Sequence, residues 1–176
     1  MSSHIQSIIK NIQDEMRKDA GLDGDAQRIS QLVWMLFLKI FDDRETQLEL
    51  IDPKYKSPIP ERLRYRNWAL DEEGITGQEL VDLIDKDLFP TLKNLSVTNL
   101  DKRAFLIRNI FSNISNKMEN GTLIRKVFNK LNEINFNKKD DRHTFGDIYE
   151  KILKDLQNAG NSGEFYTPRP LTKFIV

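Results

Sequence analysis

The chain has 176 residues, 39% hydrophobic and 31% charged, enough for one substantial core, too apolar for disorder and too interrupted by charge for a membrane span. It lacks cysteine, which excludes a disulfide framework, a thiolate nucleophile and a Cys-based zinc site, and two isolated histidines, His4 and His143, make no metal cluster. The net charge of zero hides an asymmetry: residues 71–87 hold seven acids against Lys86, while residues 99–142 hold ten basic groups against five acids, so a polyanion would meet the second segment.

Ile5, Ile8, Ile9, Ile12 and Met16 follow helical spacing, which predicts an amphipathic helix over residues 3–19 ending before Gly21. After the turn at Gly21 and Gly24, Ala26, Ile29 and the run Leu32 to Phe41 predict a helix that is apolar nearly all round, as at the centre of a bundle. Asp42, Asp43, Arg44 and Glu45 close it as a solvated or salt-bridged face with nothing adjacent to tune their pKa values. Pro53, Pro58 and Pro60 then predict the longest loop, a possible contact site. Arg62, Arg64 and Arg66 alternate around Tyr65 near Trp68. They read either as a stacking nucleic-acid stripe or, the favoured reading, as long stems covering a packed Trp68.

Thr76 with Glu79 forms a capping-box pattern for a helix with Leu80, Leu83, Ile84 and Leu88 inward, ending before Pro90. Thr98 with Asp101 offers a weaker cap for a helix whose core side is Phe105, Leu106, Ile110 and Phe111, with Ile114 a candidate extension. Asn120 and Gly121 precede a helix with Leu123, Val127, Leu131 and Ile134 on one face, Ile124 and Phe128 beside them, and lysines opposite. Thr144 is placed to cap a last long helix from Phe145 to Ala159, with Gly160 at its C-cap. No alternating strand pattern competes. The fold class is all-α, a multi-helix bundle. Within the basic run, Lys126, Lys130, Lys138 and Lys139 are the candidate DNA-binding residues, against the equal alternative of an ordinary solvated helix exterior.

From Gly160 the sequence turns glycine-bearing, then aromatic, then proline-punctuated. GEFYTPRP, Gly163 to Pro170, resembles the motif that opens the amino-methyltransferase domain of type I restriction-modification M subunits, the HsdM family. LVWMLFLKIFDDRE, Leu32 to Glu45, resembles that family's central N-terminal helix, and FGDIYEKIL, Phe145 to Leu153, the helix preceding the opening motif. Residues Pro53 to Asn120 share only the family's general character.

The resemblance implies a helical domain over residues 1–160, followed at 161–176 by a linker and the first residues of an α/β Rossmann-like methyltransferase domain. It implies methyl transfer from S-adenosylmethionine to adenine N6 in DNA, with a specificity subunit, a second modification subunit and a restriction subunit as partners. Glu164, Phe165, Tyr166, Thr167, Pro168 and Arg169 are the cofactor-binding residues it implies. The glycine-rich cofactor turn has no counterpart, and no Asn-Pro dipeptide occurs to start the motif that would hold a flipped adenine. The chain is therefore expected to be a fragment, inactive alone, with no catalytic or metal-binding residues. The N-terminal MSSHIQSIIK has neither an export signal nor a transit peptide, so the expected location is the cytoplasm, with no membrane partner. A non-enzymatic helical adaptor is the alternative.

Overall fold

The structure is a computed structural model that describes residues 2–98, 102–140, 143, 146–147 and 150. Helix α1, Ser2–Met16, buries the predicted stripe of Ile5, Ile8, Ile9, Ile12 and Met16. Each of these side chains is worth about 1.5–3 kcal/mol relative to exposure, which anchors a helix with little intrinsic preference to form alone. Helix α2, Asp25–Ile51, is the axis of the molecule. Every residue from Gln31 to Asp42 is buried, so this helix is enclosed on all sides through its middle. The continuous apolar run read from the sequence has that cause.

The segment after α2 is non-helical at Pro53 and Pro58, as its prolines require, and then forms two short 3₁₀ turns, Glu61–Leu63 and Tyr65–Asn67. It is stitched down rather than loose. Ile59, Leu63, Tyr65 and Trp68 are buried, the Trp68 Nε1 donates to the Leu63 carbonyl at 3.0 Å, and the Tyr65 hydroxyl meets Asn132 Oδ1 at 2.7 Å.

Helix α3, Gly77–Asp82, passes without a break into a π-helical stretch, Leu83–Leu88, and then into α4, Phe89–Lys93. The helix does not stop before Pro90, contrary to the sequence reading. Phe89 N–H reaches back five residues to the Ile84 carbonyl, and the widened turn accommodates a ring that would otherwise collide with the preceding turn. The expected capping box is also absent: Thr76 is the N-cap, but no side chain caps the helix, and the Thr76 hydroxyl is directed at the Gly121 carbonyl 3.5 Å away.

Helix α5, Lys102–Ser112, buries Ala104, Ile107, Ile110 and Phe111. Phe105, expected inward, is 60% exposed, because the buried face is set by Ala104 and Ile107 on either side of it. The helix ends at Ser112, so Ile114 lies buried in the non-helical segment that follows instead of prolonging it. Asp101 of the suggested Thr98–Asp101 cap lies outside the described residues.

Helix α6, Gly121–Asn132, opens on Asn120, whose side-chain oxygen accepts from the N–H groups of Thr122 and Leu123 at 3.0 and 3.1 Å. Gly121 allows α6 to meet α3, since a Cβ there would stand 1.8 Å from the Gly77 carbonyl oxygen. Phe128 of α6 gathers Trp34, Tyr65 and Trp68 around it, with ring centroids 5.1–6.1 Å away. Phe89 bridges Trp34 and Phe111, each at 5.1 Å. These edge-on contacts join α2, α4, α5, α6 and the 3₁₀ segment into one core. The described residues form helices and turns and no strand, and no helix among them is long and apolar enough to cross a membrane. The predicted helix from Phe145 to Ala159 and its cap Thr144 lie outside the described residues.

Candidate functional site

The chemistry-bearing side chains fall into a buried charge belt on α2 and a basic exterior along α6 and beyond. The belt begins where α2 meets the proline segment. Arg66 Nε donates to both Asp42 oxygens at 3.0 and 3.2 Å, its Nη1 to Glu49 at 2.7 Å, and Arg64 Nη1 to the other Glu49 oxygen at 3.0 Å. Glu45, 1% exposed, accepts from the hydroxyls of Tyr55 and Ser57, both at 2.7 Å. Arg62 reaches Asp87 at 3.2 Å on the exposed surface.

Arg64 and Arg66 are therefore clamps that pin the 3₁₀ segment to α2, while Arg62 pairs with Asp87 of the π-helical stretch; Trp68 is packed, as the favoured sequence reading has it. The expectation that nothing tunes the acids of α2 is overturned. Burial raises the pKa of Asp42, Asp43 and Glu45, opposed by the Arg66 contacts at Asp42, by Lys39 and Arg66 at Asp43, and by the two hydroxyls at Glu45. Lys39, buried beside Asp43, is lowered by burial. Burial works against the charge of Arg66, but its bonds to Glu49 and Asp42 outweigh it and raise the pKa. Asp42, Glu45 and Glu49 are each engaged by arginine or hydroxyl donors of the segment that follows α2. The belt is a structural clasp.

Arg125 belongs by sequence to the basic run, yet the structure removes it from the exterior. It is 5% exposed, and its guanidinium donates to the carbonyls of Trp68 (2.7 Å), Ala69 (3.2 Å), Asp71 (3.1 Å) and Ile75 (3.0 Å from Nε, 2.7 Å from Nη2). One arginine thus holds the turn that leads into the acidic segment. Burial lowers its pKa, with Tyr65 and Asp71 opposing. The signal was present in the spacing, because Arg125 stands four residues after Gly121 and three before Phe128, on the buried face of α6.

Lys126 and Lys130 lie one turn apart on the opposite side of α6, with 55% and 40% of their side chains exposed. Lys126 is 4.0 Å from Glu15 and Lys130 2.7 Å from Glu133. The bond to Glu133 raises the Lys130 pKa. Lys138 and Lys139 are exposed just beyond α6. Exposed pairs of this kind are worth about 0–1 kcal/mol and yield readily to a phosphate. Arg103, also of the basic run, stacks over the Tyr55 ring at 4.9 Å. The cofactor candidates Glu164, Phe165, Tyr166, Thr167, Pro168 and Arg169 lie outside the described residues.

A family model for the HsdM N-terminal domain matches residues 5–131, and one for the N-6 DNA methylase matches residues 140–176. The EcoEI methylase subunit of a type I restriction enzyme from Escherichia coli is 59% identical over 98% of this chain and 35% of its own length. A crystal structure from Vibrio vulnificus YJ016, described as the modification subunit of a type I restriction enzyme, superposes with a TM-score of 0.80 at 38% identity, over 100% of this chain and 40% of that one. A chain from a structural study of assembly and conformational transition in the type I R-M system gives 0.80 at 32% identity, over 96% of this chain and 33% of that one. The chain thus spans about a third of the length of the curated relative. A family model covering most of the 176 residues and the 59% identity to a type I methylase subunit, with the same fold in a solved modification subunit, place the chain in the HsdM N-terminal domain family of type I modification subunits.

Proposed function

We propose that this chain is the helical N-terminal part of a subunit that transfers a methyl group from S-adenosylmethionine to adenine N6 in DNA. The subunit would work in a cytoplasmic assembly with a specificity subunit, a second modification subunit and, in the full complex, a restriction subunit. The observation that carries the reading is the order of two family matches on one polypeptide, the HsdM N-terminal domain over residues 5–131 and N-6 DNA methylase from residue 140.

In this reading the helical part makes subunit and DNA contacts, and Lys126, Lys130, Lys138 and Lys139 meet phosphates. Exterior lysines supply counterion release and position, while base-edge selection falls to the specificity subunit. Glu164 to Arg169 form one wall of the cofactor site. Their donor set fits the ligand: Phe165 and Tyr166 can pack a sulfonium, and the Thr167 hydroxyl with backbone N–H groups can bind a carboxylate. S-adenosylmethionine supplies the transferable methyl group when bound. Alone, the chain transfers none, because its sequence has no Asn-Pro motif to hold the target base.

The test is reconstitution of the longer subunit with its specificity subunit, duplex DNA and methyl-labelled cofactor. Mass spectrometry of the digested DNA should find the label in N6-methyladenine. Label only in cytosine, or none in DNA, contradicts the proposal.

A further inference from the structure

The turn that closes α1 is fixed against the start of α6. Asp19, 3% exposed, accepts from the backbone N–H groups of Gly21 at 2.9 Å and of Glu119 and Asn120, both at 3.0 Å. A buried carboxylate held by three backbone donors gives the turn one position relative to α6, and Lys18 is the residue before it. Glu15, in the last turn of α1, stands between lysines of two different elements. Its Oε1 accepts from Lys18 Nζ at 2.7 Å, and its Oε2 lies 4.0 Å from Lys126 Nζ. That Oε2 is shielded from solvent and accepts no hydrogen bond, so two ammonium groups face one carboxylate that bonds only the first.

The carboxylate is recessed, with 21% of its side chain exposed, whereas Lys18 and Lys126 are 57% and 55% exposed. An anion arriving from solvent therefore meets both ammonium groups before it meets the glutamate. Lys130, one turn further along α6, has its pKa raised by Glu133 first and by Glu72 and Glu15 after it, which places it in the same field. All three lysines already have carboxylate neighbours, but exposed ion pairs are worth only about 0–1 kcal/mol, so exchange of a carboxylate for a phosphate is open to them. We infer that Lys18 belongs to the phosphate-contacting surface with Lys126 and Lys130, and that Glu15 is the internal counter-ion of that surface, competing with DNA phosphate for Lys18 and Lys126. This rests on the reading that the helical part meets DNA through phosphates. Glu15 then keeps binding weak and readily reversed.

The test titrates a fluorescein-labelled duplex with the 176-residue chain by fluorescence anisotropy at several salt concentrations, with wild type beside Lys18→Gln, Arg17→Gln and Glu15→Gln. Arg17 is the control, because it lies in the same turn and carries the same charge but pairs with Asp14 at 2.7 Å. Lys18→Gln should weaken binding roughly threefold to tenfold and flatten the fall of log K with log salt by about 0.9, the loss of one phosphate contact. Arg17→Gln should leave that slope unchanged. Glu15→Gln should tighten binding roughly threefold, the equivalent of one exposed ion pair, and adding Lys18→Gln should remove most of the gain. Urea denaturation establishes that each variant is folded. Should Glu15→Gln not fold, the comparison of Lys18→Gln with Arg17→Gln, both at exposed positions, decides alone. An unchanged Lys18→Gln variant, equal losses from Lys18→Gln and Arg17→Gln, or a folded Glu15→Gln variant no tighter than wild type would each overturn the inference. Any of these beside a wild-type chain that binds DNA rejects only the roles of Lys18 and Glu15. Absence of binding by both wild type and Glu15→Gln at low salt rejects the phosphate reading itself, and the inference with it.

Discussion

At the scale of single residues, the molecule places charge where an apolar core would be simpler, and each case makes a distinct forecast. Glu45 has its pKa raised by burial, so the folded state binds more protons than the unfolded chain between the ordinary value of 4.5 and the raised one. Stability from this group is fully present below 4.5 and is lost as pH rises through the folded value. Glu45→Gln keeps a side-chain oxygen acceptor but removes the buried charge. It should unfold in urea at or above the wild-type midpoint at pH 7 and show a flatter loss of stability from pH 4.5 upward. Glu45→Ala strands the Tyr55 and Ser57 hydroxyls and should cost about 1–3 kcal/mol. If Gln were as damaging as Ala, the charge and not the acceptor would hold the proline segment. Arg125→Met fills similar space but leaves the Trp68, Asp71 and Ile75 carbonyls without their donor, Ala69 keeping Asn132, for an expected loss of about 3 kcal/mol or more in the same assay. Unchanged stability would mean water replaces the guanidinium freely.

At the scale of elements, the helices were legible in the sequence wherever apolar spacing alone decides. The α1 stripe, the enclosed middle of α2 and the apolar face of α6 all came from periodicity. Failures occurred where a tertiary neighbour overrode a local signal. Pro90 ends helices by local rule, but the π turn upstream carries the chain through it. Thr76 has the pattern of a cap, but the close meeting of Gly77 with Gly121 draws its hydroxyl toward α6. Arg125 was counted as surface charge because composition cannot report that the chain 50–57 residues away folds its carbonyls over that position. Of the site, the exposed lysines were legible as helix-exterior residues, whereas the arginine clamps needed the path of the segment after Ile51. The α3–α6 contact gives a test of its own. Gly121→Ala forces a methyl into the Gly77 carbonyl, and overpacking of this kind should cost about 1–3 kcal/mol, read as a lower denaturation midpoint. A neutral result would mean that α3 shifts away without penalty.

At the scale of the whole molecule, the bundle commits the buried acids of α2 and Arg125 to holding its own fold and leaves lysines outside, the arrangement on which the proposed DNA contact rests. Isothermal calorimetry should accordingly detect no S-adenosylmethionine binding by the 176-residue chain, since one wall of a pocket makes too few contacts to offset immobilising the ligand. Saturable micromolar binding would refute that. The claim that the helical part meets DNA through phosphates is tested most directly by titrating duplexes at several salt concentrations. The wild-type chain is compared with a variant carrying glutamine at Lys126, Lys130, Lys138 and Lys139 and one carrying glutamine at Arg62, Arg64 and Arg66. The account predicts weak, sequence-indifferent binding. Log K should fall with log salt by about 0.9 per contact, and the lysine variant should lose both affinity and slope. The arginine variant should unfold earlier, having lost its bonds to Asp42 and Glu49, yet bind like wild type while folded. A lysine variant that binds like wild type, beside a folded arginine variant that loses affinity, would contradict the account.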